Sequence, residues 1–179
     1  MTDPHAPAPP HPAPPHPAPG VGPDRAATIP TLWVRAGARI FDELLLAIPR
    51  LALTIPFVAP DSVTGVRYDP PKWAMALSVL IPLVYDFAFI AWRGATPGKS
   101  LFGTVVRRAA AGGKVAPYQA GLRALIPVFG SALALGVPSA DAAAFFAMLT
   151  PVVYFSAVWD PRRRGLHDKA AGTVVVRSS

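Results

Sequence analysis

Residues 35–50 read RAGARIFDELLLAIPR, an apolar run that carries Arg35, Arg39, Asp42, Glu43 and Arg50. A charge at mid-bilayer costs roughly 2.5–3.5 kcal/mol on insertion scales, so ionisable side chains in a spanning helix face other helices or water and pair with one another. At helical spacing all of these charges fall within an arc of about 100°. Arg39 stands three residues before Asp42 and four before Glu43, so both carboxylates are expected on its guanidinium. Asp86, six residues before Trp92 in a second apolar run, reaches a similar depth, on the order of 9 Å from the inner end of its helix. Two accounts follow. One is an ion-pair lock between the first two helices. The other is a cation or proton site built from clustered carboxylates. Arg50, beside Pro49, is expected to face the bundle, to snorkel, or to mark a break in the helix.

Working outward, composition agrees with a membrane chain. Of 179 residues 52% are hydrophobic and 15% charged, against roughly 25% charged in an ordinary soluble domain. No cysteine is present, which excludes disulfides, thiolate nucleophiles and Cys-ligated zinc. Residues 1–30 hold 11 of the 23 prolines in repeats around His11 and His16, the composition of an extended, disordered tail. Four apolar stretches follow: 36–58, 73–92, 124–137 and 142–159. The third is short and contains Pro127, so it reads as a tilted span, a re-entrant segment or a surface helix. The expected fold is therefore all-α, with about four transmembrane helices and a domain over 31–179.

Charge sets the orientation. Arg93, Lys99, Arg107, Arg108, Lys114 and Arg123 lie between the second and third stretches with no acid, whereas 59–72 sums to zero. The basic loop and the basic tail after Trp159 should face the cytoplasm, and four crossings then place both termini inside. The net charge of +7 fits contact with anionic headgroups. Nucleic acid is not expected, since no aromatic residues interleave the arginines.

Gly94 to Ser100 reads GATPGKS and falls one residue short of a Walker A loop. The expected structure is a tight turn with Pro97 fixing φ, Gly98 in an unusual backbone conformation and Lys99 near headgroups. A hairpin should follow, pairing 101–108 with 114–116 through Gly112 and Gly113. Arg162, Arg163 and Arg164 should meet headgroups. Next to them His167 and Asp168 suit proton transfer or a turn-holding aspartate; one His with one Asp makes no metal site. A strand is expected over 173–176. No cofactor and no enzymatic activity are expected.

Together these motifs resemble the RDD family of bacterial integral membrane proteins. The resemblance rests on Arg35, Ala38 and Asp42, on Gly94, Thr96, Pro97, Gly98 and Lys99 with the following Phe102-Gly103, on Arg123, and on GLHDKAAGTVVV at 165–176. The arginine and two aspartates that name the family map onto Arg35, Asp42 and Asp168. The resemblance implies a multi-pass plasma-membrane protein, with cation transport or sodium/proton exchange as one expected role. An oligomeric subunit is expected in that role, and a non-transporting scaffold or accessory protein whose basic cytoplasmic face binds anionic lipid or a partner is the other. Arg39, Glu43, Arg50 and Asp86 lie outside the resemblance and rest on helix geometry alone.

The topology is open to direct test in this cysteine-free chain. Ser62→Cys should react with an impermeant thiol reagent on intact cells and Ser179→Cys should not. The reverse labelling pattern would overturn the orientation.

Overall fold

The computed structural model describes residues 28–63, 65–110, 112–137, 145–146 and 148–178. His11 and His16, the connection between the third and fourth apolar stretches and the start of the fourth lie outside these residues. Helix α1, Leu32–Thr54, begins where the Thr31 side chain accepts a hydrogen bond from the Val34 amide, and it runs on through Pro49. A single 3-10 turn leads to an antiparallel hairpin, β1 (Val58–Asp61) and β2 (Gly65–Tyr68). The sequence reading placed only a loop there.

Helix α2, Lys72–Arg93, carries Trp73 at its start, packed edge-on against Phe57 with ring centroids 5.9 Å apart. It ends at Gly94, whose φ of 74° permits the left-handed cap that returns its amide to the Ile90 carbonyl. The glycine with the unusual backbone is thus Gly94 and not Gly98. Helix α3 (Pro97–Leu101) follows, then β3 (Thr104–Arg108), α4 (Pro117–Ala134), α5 (Leu149–Phe155) with a 3-10 turn to Trp159, α6 (Leu166–Ala170) and β4 (Thr173–Arg177). Helix α4 starts at Pro117, ahead of the expected 124, and passes through Pro127. It packs along α2 and also contacts α5 and α6.

The strands correct the expected local hairpin. β3 pairs with β4, from Thr104 opposite Arg177 to Arg108 opposite Thr173. Residues 114–116 are too short to compete, because Pro117 already opens α4 and Val115 is drawn into the core. The run Thr173–Val176 is β-branched throughout and alternates well against Thr104 and Val106, which are buried. Ile90, Val106, Val115, Ala120 and Val175 then form one small apolar core where α2, α4 and the sheet meet.

Among the described residues one helix, α2, is long and apolar enough to cross a membrane, and only 17% of its apolar stretch is buried inside the protein. Ordinary core helices of soluble proteins bury that surface; α2 presents it outward. Helix α1 has the length, at 23 residues, but its charges break the apolar run. In the chain Val105→Cys, Val176→Cys, mild oxidation should give an intramolecular disulfide, as the two positions lie opposite across the strands. Val105→Cys with Val115→Cys should not; the opposite result would restore the local hairpin.

Candidate functional site

Two buried aspartates organise the polar interior. Asp42, on α1, has no solvent exposure. Its Oδ1 accepts from the Tyr85 hydroxyl at 2.7 Å and the Gly98 amide at 2.8 Å, and its Oδ2 from the Thr96 hydroxyl at 2.5 Å. Lys99 Nζ stands 3.8 Å from Oδ2 and 3.2 Å from the Thr96 hydroxyl. Lys99 is therefore turned inward, not toward headgroups, and its burial lowers the ammonium pKa to about 8. Gly98 is required by proximity: a Cβ there would lie 2.8 Å from the Asp42 carboxyl carbon and would collide with the Ala38 carbonyl. The near-miss phosphate loop is a clamp around an aspartate of its own chain.

Asp168, also without solvent exposure, gathers the second set. Arg35 Nη2 reaches its Oδ2 at 2.6 Å, and the buried Arg123 pairs with Oδ1. The Gly165 amide donates to Oδ2 at 3.2 Å, so the carboxylate caps α6, a short helix where the sequence reading had only a turn. Arg123 also donates to the Thr173 hydroxyl at 3.1 Å, and Arg35 to the Arg163 carbonyl. Asp168 thus ties α1, α4 and the chain leading into β4 together. Of the expected headgroup-facing triplet, Arg163 donates to the Pro30 carbonyl at 3.1 Å and Arg164 to Asp160 at 3.3 Å, leaving Arg162 exposed. The backbone amide of Arg164, with Lys169 and the Arg164 side chain, holds the Asp160 carboxyl well below the usual range.

Arg39 does not pair with Asp42 as the spacing suggested. Its guanidinium meets Glu43 at 2.6 Å and Asp86 at 2.8 Å, and Arg50 reaches Glu43 at 3.3 Å. Asp42 and Glu43 are adjacent in sequence and so diverge by about 100° around the helix, which lets one enter the clamp while the other stays with the arginines. Arg39 also stacks over the Tyr154 ring, 4.8 Å from its centroid, and Tyr154 packs on His167 at 4.9 Å. The Asp86 Oδ1, Arg39 Nε and His167 Nδ1 atoms are buried with no hydrogen-bond partner among the described residues. All three residues line a cavity of about 690 Å³, shared with Arg35, Glu43, Lys99 and Arg123.

The site residues read from the sequence therefore converge, in a different partnership. Tyr85, Tyr154 and Thr173 were missed, because a hydroxyl or ring whose charged partner lies on another element gives no signal until the elements are packed. Among the described residues no group of three or more His, Asp or Glu has the placement to hold a metal ion. A family model described as the RDD family matches residues 29–172. No curated protein and no solved structure gives a significant match.

His167 supplies a pH test. Burial, then the nearby Arg123, Arg35, Lys99 and Arg39, push its pKa well below 6.5, so the folded chain keeps it neutral. Above pH 6.5 neither state protonates it and its effect on stability is flat. As pH falls below 6.5 the unfolded chain takes up a proton that the folded chain refuses, and stability drops by up to about 1.4 kcal/mol per pH unit. Lys99 titrates above this window. Melting in detergent from roughly pH 7.5 to 5 should show that slope, and His167→Gln should flatten it. An unchanged slope in the variant would place the acid sensitivity elsewhere.

Proposed function

The chain belongs to the RDD family, a family of membrane proteins, and from this membership and the buried carboxylates we propose that it moves a proton or monovalent cation across a bacterial plasma membrane. Four crossings with both termini inside are the topology this reading takes, with α1 turning its charges toward α2 and α3. A bundle this small seldom encloses a pathway by itself, so a homo-oligomer is part of the proposal. The reading needs no cofactor and no covalent chemistry.

Its carrying observation is the division among the carboxylates. Asp42 and Asp168 are saturated with donors, and moving a cation through either would dismantle the fold. Asp86 is different: Arg39 holds Oδ2 at 2.8 Å while the buried Oδ1 lacks a donor. A carboxylate held at one oxygen and open at the other can take and release a proton without losing its anchor. Glu43, on the same guanidinium and 42% exposed, is its natural neighbour in a relay.

A scaffold reading rests on a separate observation. The exposed cations Arg93, at the last position of the long apolar helix, and Arg108, Lys114, Arg162 and Arg177, beyond it, are placed where anionic headgroups or an acidic partner would meet them.

Ion flux into proteoliposomes separates the two. Asp86→Asn leaves Arg39 its Glu43 partner, so the variant should melt near wild type yet lose flux on the order of a hundredfold. Asp42→Asn should lose flux together with stability. Absence of flux from the wild type under proton, sodium and potassium gradients would sink the transport reading and leave the scaffold, and full flux in Asp86→Asn would take the pathway away from Asp86.

A further inference from the structure

The cavity beside Asp86 has a second character that ion movement does not use. Its volume of about 690 Å³ lies within the roughly 300–1,000 Å³ of small-molecule pockets. Helix α1 packs on α2 and α3, and α5 on α4, so α1 and α5 face one another across the cavity. That gap is rimmed by Trp33, Ile40, Phe155 and Val158, all exposed on the faces that the membrane reading turns to lipid. The floor is polar and holds the three buried atoms without partners, one each from Arg39, Asp86 and His167. The His167 side chain is 4% exposed.

We propose that this cavity is a lateral site for an uncharged, hydroxyl-headed lipid whose hydrocarbon lies between α1 and α5. The proposal rests on the membrane placement argued above and is independent of ion flux. An apolar rim with a polar floor matches an amphiphile entering from the bilayer. The head is fixed by what the floor lacks. Asp86 Oδ1 needs a donor and Arg39 Nε an acceptor, and the two belong to one ion pair. Hydroxyl groups both donate and accept, and so offer what each atom lacks. Charge argues against an ionic head. The four cations Arg35, Arg39, Lys99 and Arg123 are balanced in number by the four acids they pair with, Asp42, Glu43, Asp86 and Asp168. A head with net charge would add an unpaired ion to this desolvated site.

The test uses the full chain in phosphatidylcholine vesicles with no ion gradient. Three photoactivatable probes share one diazirine-bearing chain and differ in head: glycerol, carboxylate and trimethylammonium. The glycerol probe should label peptides holding Ile40 or Phe155 saturably, be displaced by unlabelled monoacylglycerol, and outcompete the charged heads about tenfold. Ala36→Phe, at an exposed position on the cavity wall, should cut that labelling about tenfold with melting unchanged. Val158→Trp fills the rim from the other side and should do the same, which keeps the test valid if the first variant folds poorly. Non-saturable labelling, equal labelling by all three heads, or labelling indifferent to both variants would overturn the site and indicate annular lipid or a water-filled cavity. Because no gradient is applied, failure here leaves the transport reading standing, and loss of flux leaves this one standing.

Discussion

A carboxylate removed from water must be met by donors on nearly all sides, or it will not stay charged and folded. Asp42 and Asp168 impose that demand twice, and each collects its donors from segments far apart in the chain. Asp42 draws α3 and Tyr85 of α2 onto α1; Asp168 draws Arg35 of α1 and Arg123 of α4 onto α6. Breaking a buried pair by removing one partner costs about 3–5 kcal/mol, whereas replacing the whole set by well-packed apolar residues is often neutral. The aspartates therefore specify which arrangement forms more than they deepen its stability. Under the proposed membrane topology that is a large part of the problem, because between lipid-flanked helices apolar faces alone have no preference for one another over acyl chains.

The small sheet follows from the same constraint. β4 begins only five residues after Asp168, and Thr173, its first residue, shares Arg123 with that carboxylate. Once Asp168 is seated, β4 has one place to go, and the strand available there is β3, which leaves α3 directly after the Asp42 clamp. The two aspartate locks thus deliver the two strands to each other across about seventy residues of chain. The Arg177 amide in turn donates to the Thr28 carbonyl at 2.9 Å, so the segment entering α1 is held by the same sheet.

Much of this was legible in residues 35–50. Charges in an apolar helix on one face announced buried pairing, and the motifs at 94–99 and 165–176 pointed to the loops that take part. What could not be read was the choice of partner. Arg39 had two acids within reach on its own helix and took Glu43 together with Asp86 of α2; Asp42 took a backbone amide, two hydroxyls and a lysine instead. Helix spacing reports which side chains share a face, and says nothing of a loop folding back to the same place. Gly98 shows the limit well. In sequence it sits like a phosphate-loop glycine, yet its missing Cβ makes room for Ala38 and Asp42. The β3–β4 pairing was hidden for a related reason, since strand propensity is local and the partner was set by contacts between other residues.

The locks also explain why the remaining acids can be used. A buried charge that holds the fold cannot be neutralised without cost, so a chain that moves or binds anything must keep its working groups separate from its structural ones. Arg39 makes that separation possible. With Glu43 on one side and Asp86 on the other it retains a counter-charge when either acid is neutralised, and its stacking on Tyr154 keeps the guanidinium in place meanwhile. Asp86 is consequently an acid whose neutralisation leaves Arg39 a counter-charge, and with Glu43 it lines the cavity. Tyr154, stacked under Arg39, packs in turn on His167 beside Asp168, so contacts run from the partner of Asp86 to the second lock. The fold is fixed at Asp42 and Asp168, and what adjusts lies between them.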